Sequence, residues 1–315
     1  MYKGYNVAAV VPAFNEESQI AKVVETMPEF VDHIIIIDDK STDNTIGVVN
    51  GLVQSNPRVV LLRHEVNQGV GGAIATGYIW ARDNNVDAAV VMAGDAQMDP
   101  ADLPNLLDPV VEEGVDYSKG NRLVYEAAYR LMPKVRFFGN AILSYLTKIA
   151  SGYWHVTDSQ TGYAVIGKKA LHAIDWTKMY KRYGQPNDIL VRLNLEDMRV
   201  RDVPIKPVYN VGERSGIKIR RVLFTIGTLL LRMYYWRLWH KYVVRDAHPL
   251  VLFIFLGTLM LALGGIFFVR LLILWYLHGE APIMTSLAMF FAFTASLQSF
   301  FFGWWMDMDK NRHLR

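Results

Sequence analysis

The chain has no cysteine among its 315 residues. That excludes disulfides, thiolate metal sites and a thiol nucleophile, and it leaves the redox compartment unread. It also lacks an excess of either charge: the net charge of +3 is too small to make nucleic acid the main partner. No GxxxxGK[ST] occurs, which removes the P-loop NTPases. The segment Asn67-Gln68-Gly69-Val70-Gly71-Gly72 has Ile74 where a dinucleotide fingerprint needs its third glycine, and it follows a third strand pattern rather than the first. Its glycines, Gly72 among them, are read as a close approach of backbone to a nucleotide at a helix start. Finally, the start Met1-Tyr2-Lys3-Gly4 has no apolar signal-peptide core, so the N-terminal part is expected to stay in the cytoplasm.

What is present divides in two. Hydrophobic residues make up 52% of the chain beside 20% charged residues, and the mean hydropathy is +0.14, apolar for a soluble enzyme. The first half alternates apolar runs with helical patterns: VAAVVP from Val7, HIIIIDD from His33, VVLLRH from Val59 and AAVVMA from Ala88. Continuous rather than alternating apolar runs predict parallel strands covered on both faces, hence a doubly wound α/β domain over 1–212. A helix is predicted from Asn15 to Glu25. From 213 to 247, basic residues interleave with Leu, Phe, Tyr and Trp, the pattern of helices lying in a membrane interface. Pro249 to Val269 and Ala281 to Met306 carry no charge, and each can cross about 30 Å of hydrocarbon. Basic outer flanks predict a two-helix hairpin over 248–315 with both ends cytoplasmic.

Open α/β sheets bind ligands at the loops following their strands. Three such loops are rich in carboxylates and amides: Pro12 to Glu17, Asp38 to Thr45 and Gly94 to Pro100. A nucleotide-sugar accounts for their convergence. Asp39 can accept from a base N–H, Ser41 can meet the ribose, and Asp95 with Gln97 supplies hard oxygen ligands for Mg²⁺ or Mn²⁺ on a diphosphate. Any one of these residues alone is more simply a helix cap; three loops together are not.

The ordered set VVPAFNEE, IIDDKSTDNT, NQGVGGAIATGY, GDAQMDP, GNR and VTDSQTGY resembles glycosyltransferase family 2, with its GT-A fold. With the apolar hairpin, the chain is similar to the polyprenyl-phosphate hexosyltransferases, the dolichol-phosphate mannose synthase-like branch. The resemblance implies a UDP- or GDP-hexose donor, with UDP favoured, a polyprenyl or dolichyl phosphate acceptor and a membrane location. It implies nucleotide contacts from Pro12, Phe14, Glu16 and Asp39, and metal contacts from Asp95 and Gln97. It also implies phosphate contacts from Arg122, Arg136, Arg214 and Lys218. Ala93 stands where the family often has its first metal-loop aspartate, and Ala164 where it has an arginine. A phosphate acceptor needs no general base; if one exists, Asp158 and Asp188 are the candidates. Self-association is left open. The competing readings are a glycan-elongating transferase with a hydroxyl acceptor, opposed by the lack of a QxxRW-like motif, and a non-catalytic membrane scaffold.

Overall fold

The computed structural model describes residues 1–125, 132–207 and 219–315. Among them, seven strands form one sheet in the order β3-β2-β1-β4-β6-β5-β7. These are β1 (Val7–Ala13), β2 (His33–Asp38), β3 (Val59–Arg63), β4 (Ala88–Val91), β5 (Tyr117–Asn121), β6 (Ala164–Gly167) and β7 (Val200–Pro204). The first four are mutually parallel, β6 is antiparallel to β4 and β5, and β7 is parallel to β5.

The apolar runs are continuous because each strand buries both faces. Ala8 and Val10 of β1 join one core with Ile35, Ile37, Ala89 and Val91. Val7, Ala9 and Val11 join the other with Ile34, Ile36 and Val90. Helix α3 (Val70–Asp83) covers the first face through Ala73, Ile74 and Tyr78. Helices α1 (Ile20–Glu25) and α4 (Leu103–Val111) cover the second through Ile20, Val23, Leu103 and Leu106. The side-chain period of two sorts each strand between these cores.

Strand β5 has no apolar run, and its sequence, YSKGN, gives no strand signal; yet every residue in it is buried. Its polar side chains are matched internally: Ser118 Oγ donates to the Leu106 carbonyl and Lys119 Nζ to the Thr161 carbonyl. The helix expected from Asn15 starts only at Ile20. Asn15 has a left-handed φ of 58°, and its carboxamide oxygen accepts from Thr42 N (2.7 Å), so the chain turns there instead.

The remaining helices of the sheet domain are α5 (Lys134–Ser151), α6 (Lys168–Ala173) and α7 (Gln185–Leu195). Contacts divide the chain into a unit of Met1–Tyr234 with Leu314–Arg315 and a unit of Tyr235–His313. The division falls inside the stretch expected to lie in an interface, within helix α8 (Ile219–Arg237). In the second unit a π-helical segment, Leu238–Arg245, precedes α9 (Leu250–His278) and α10 (Ile283–Lys310). Both helices are long and apolar enough to cross a membrane. Glycines on one helix receive aromatic or aliphatic side chains of the other: Gly257 meets Phe300, Gly264 meets Phe293 and Gly303 meets Ile254. At one end of this hairpin, buried Arg237 donates through two nitrogens to Asp307 (2.8 and 3.0 Å), whose carboxylate also accepts from Tyr242 Oη (2.6 Å).

A Cβ on Gly77 would overlap Val10 Cγ1 and press on Ile37, because α3 lies directly on β1 and β2 there. Gly77→Ala should therefore destabilise the sheet domain by about 1–3 kcal/mol, as overpacked cores do. Denaturant unfolding measures this; an unchanged midpoint would show that α3 can lift at no cost.

Candidate active site

Strand register brings three loops to one edge. Ala13 pairs with Asp38 and Val10 with Val91, so β1, β2 and β4 end side by side. The first two loops are sewn together. Ser41 Oγ accepts from Asn15 N (3.0 Å), Thr45 Oγ1 from Glu16 N (2.8 Å), and Glu17 accepts from Asn44 N (2.9 Å). The third loop closes on β1, with Gly94 N donating to the Pro12 carbonyl (3.3 Å). Phe14 is exposed at this edge. Pro12, Phe14, Glu16, Ser41 and Asp95 are thus brought together.

Glu16 is half-buried, and burial, then the carboxylates of Asp95 and Asp43, push its acid up to about 7. Carboxylates gathered in this way are a ready place for a divalent cation. Gln97 N donates to Asp95 Oδ1 (3.1 Å), so the loop from Gly94 to Pro100 folds around that carboxylate. Among the described residues no group of three or more His, Asp or Glu side chains is arranged to hold a metal. The residues present fit an ion whose shell is completed by substrate oxygens and water, as Mg²⁺ prefers.

Asp39 is nearly buried and heavily used. Its carboxylate accepts from His64 Nδ1 (2.8 Å), Gln68 N (2.7 Å) and Gly69 N (2.7 Å). Two carboxylate oxygens have about four lone-pair sites, so one acceptor position is left for a ligand. Gly72 does not serve as expected: its N–H donates to the Lys181 carbonyl (3.1 Å). The glycines make room for protein, since a Cβ on Gly69 would lie 2.6 Å from the Lys181 carbonyl.

Arg122 and Asp158 form the second centre. Asp158 is fully buried and accepts from Arg122 Nε (2.8 Å), Nη2 (3.1 Å) and backbone N (3.0 Å). Desolvation alone would raise its acid, but Arg122 and Lys119 hold it below the ordinary range. A carboxylate so engaged orients a guanidinium and is a poor base. The GNR sequence serves this pair: Gly120 admits Ile205, and Asn121 Oδ1 turns the chain by accepting from Leu123 N (3.0 Å). Beneath lies Lys119, whose ammonium burial lowers to about 8 against the pull of Asp158 and Asp202. The loop from Asp158 to Tyr163 returns to the loop after β4, where Tyr163 Oη donates to the Asp99 carbonyl (2.9 Å).

Asp188, the other base candidate, is buried and accepts from Arg192 Nε (3.0 Å) and Tyr180 N (2.6 Å). Arg214 and Lys218 lie outside the described residues, as does the side chain of Arg136.

Sequence reading missed α5. Its inward face is Leu143, Ser144, Thr147 and Ala150; its outward face exposes Phe138, Ile142, Tyr145 and Leu146. The signal was present as apolar residues at three- and four-residue spacing. Ser144 Oγ accepts from Ser159 N (3.0 Å), so this helix also supports the loop carrying Asp158.

A mostly parallel sheet with carboxylate-rich loops at the C-terminal edge of its first strands, and one antiparallel strand set among the others, is the arrangement of the GT-A glycosyltransferase fold. The chain belongs to glycosyltransferase family 2, whose description matches residues 8–175, more than half of its length. It is 33% identical over 213 residues to a UDP-N-acetylglucosamine–dolichyl-phosphate N-acetylglucosaminyltransferase of Methanococcus voltae, covering 64% of this chain and 84% of that one. It is 26% identical over 227 residues to a polyprenol monophosphomannose synthase of Mycolicibacterium smegmatis, covering 69% and 84%. In fold it is similar to glucosyl-3-phosphoglycerate synthase from Mycobacterium tuberculosis, solved with Mg²⁺ and UDP. There the TM-score is 0.53 at 18% identity, over 75% of this chain and 80% of that one.

The Asp158 carboxylate contributes stability that is present above the ordinary aspartate range and is lost as pH falls through its depressed folded value. Asp158→Asn should cost about 1–3 kcal/mol at neutral pH. It should also flatten the acid limb of a stability–pH profile below that range; a variant with the wild-type acid limb would mean the pair is not formed.

Proposed function

We propose that this glycosyltransferase moves a hexose-type sugar from a nucleotide-sugar, UDP favoured over GDP, to a polyprenyl or dolichyl phosphate at the cytoplasmic face of a membrane. One observation carries the reading. The two acids named as general-base candidates, Asp158 and Asp188, are committed to the chain's own cations, while an arginine is oriented at the crevice. A hydroxyl acceptor would need one of those acids to take its proton. A phosphate monoester has its second pKa near 6 and is already largely a dianion at neutral pH.

The acceptor phosphate oxygen attacks C1 of the sugar from the face opposite the diphosphate. The C1–O bond to the diphosphate breaks, and the nucleoside diphosphate leaves with that electron pair, inverting the anomeric centre. Arg122 holds the attacking phosphate by charge-assisted hydrogen bonds and offsets repulsion between the two anionic substrates. Asp95, with Gln97, would hold a divalent cation, which supplies charge neutralisation for the leaving diphosphate. Pro12, Phe14, Ser41 and Asp39 would receive the nucleoside. Arg136, Arg214 and Lys218 are proposed as further phosphate contacts.

Support for the membrane comes from two places. Helices α9 and α10 are long and apolar enough to span. Independently, α5 turns Phe138, Ile142, Tyr145 and Leu146 away from its own domain, against the usual sense of an amphipathic helix. Such a face suits the acyl boundary, where the acceptor's headgroup sits.

Nucleotide release with a defined polyprenyl phosphate, present or omitted, tests the reaction. Asp95→Ala and Arg122→Ala should each lower transfer by about 10²-fold or more, the loss expected for a preorganised charge contact. EDTA should stop it and Mg²⁺ or Mn²⁺ restore it. Equal nucleotide release with and without the lipid phosphate would overturn the acceptor.

Replacing Phe138 and Ile142 together by glutamate should slow transfer to a long-chain acceptor in bilayers by about tenfold, through lost apolar insertion. A short, water-soluble acceptor should be used as before. Equal effects on both acceptors would mean that α5 acts inside the domain.

A further inference from the structure

Asp188 lies in the first turn of α7 with 2% of its side chain exposed. Its Oδ2 accepts from Tyr180 N (2.6 Å), and both oxygens accept from Arg192 Nε, one turn along the helix (3.0 Å each). Arg192 Nη2 in turn donates to the Lys178 carbonyl. The pair therefore grips residues 178–180 from one side. From the other side comes the start of α3. Gly72 N donates to the Lys181 carbonyl (3.1 Å), and Lys181 Nζ donates to Gln68 Oε1 (3.0 Å). A Cβ on Gly71 would overlap the Tyr180 carbonyl, and one on Gly69 would press on the Lys181 carbonyl. Segment 178–182 is thus wedged between the starts of two helices. The residues it bears upon, Gln68 and Gly69, are those whose N–H groups hold the Asp39 carboxylate.

We propose that Asp188 is a positioning residue for donor binding: through segment 178–182 and the α3 glycines it sets the place of Asp39. The inference rests on the reading that the Asp39 end of the crevice takes the nucleotide. Removing the carboxylate leaves Tyr180 N–H and the Arg192 guanidinium to find other partners, and the segment shifts by a fraction of an ångström. A displacement of that size misplaces a recognition group without touching the reacting atoms. A general base at this position would instead carry a proton from the acceptor, so its loss would fall on kcat and on the pH profile.

The test uses the full chain in lipid nanodiscs. Binding of UDP or GDP, whichever the wild type takes, is read by calorimetry, which needs no acceptor, beside steady-state kinetics. Asp188→Ala and Gly71→Ala reach the same segment from opposite sides. Each should weaken nucleotide binding and raise the donor KM by about tenfold, with kcat within about threefold and the pH profile unchanged in shape. Asp188→Asn should lie between, since its amide oxygen can still accept from Tyr180 N–H. Unchanged nucleotide affinity with a fall in kcat, or a lost limb in the pH profile, would overturn the proposal. If Asp188→Ala does not fold, Gly71→Ala and Arg192→Lys decide the matter: wild-type nucleotide affinity in both would overturn it. A wild-type chain that binds neither nucleotide would refute the function proposed above, a result distinct from variants that bind as well as the wild type.

Discussion

A carboxylate drawn into the edge of a sheet must find positive charge or hydrogen-bond donors, because its desolvation costs more than any single contact returns. How each acid meets that demand sorts the site. Asp39 takes a histidine and two backbone N–H groups, Asp158 takes Arg122, and Asp188 takes Arg192 and one N–H. Glu16 is the exception. Its strongest charged neighbours are other carboxylates, Asp95 and Asp43, and its acid is raised accordingly. Acids satisfied by the chain build the crevice; the place where they repel one another is where a cation from outside is worth most.

This division was only half legible in the sequence. The parallel strands were plain, because strands buried on both faces must be apolar throughout, as Val7 to Val11 and Ile34 to Ile37 are. The position of the carboxylate loops followed from strand order. What could not be read was partnership. Asp158 and Asp188 look alike as candidate bases, and only the fold brings Arg122 across 36 residues to one of them. The same limit hid β5, where Lys119 and Asn121 are buried because Thr161, Thr157 and Asp202 are brought to them.

Local signals failed where a contact overrode them. Asn15-Glu16-Glu17-Ser18 reads as a helix start, but the second loop captures Asn15 and Glu17 and delays the helix to Ile20. The glycines at the start of α3 read as room for a nucleotide, but Gly69 and Gly71 give room to residues 180–182. In both cases the residue type was read correctly as making a close approach, and the partner was another stretch of chain. Glycine and asparagine report that something comes near; they do not report what.

Helix α5 joins the two halves of the chemistry. Ser144 and Thr147 on its inner face are small and polar, and through Ser159 and Asn187 they support the loop that carries Asp158. The large apolar residues Phe138, Ile142, Tyr145 and Leu146 take the outer side, where water would oppose them and an acyl boundary would not. On the proposed reading the two faces answer one requirement. The acceptor's phosphate belongs to the headgroup layer and its chain to the hydrocarbon, so the arginine that receives the phosphate has to be held at the height of the membrane surface. A helix that rests on that surface and hydrogen-bonds to Ser159, next to the Asp158 that holds Arg122, fixes the height with one element. A longer chain of supports would let the guanidinium ride up and down with the domain, and attack on C1 tolerates little such motion.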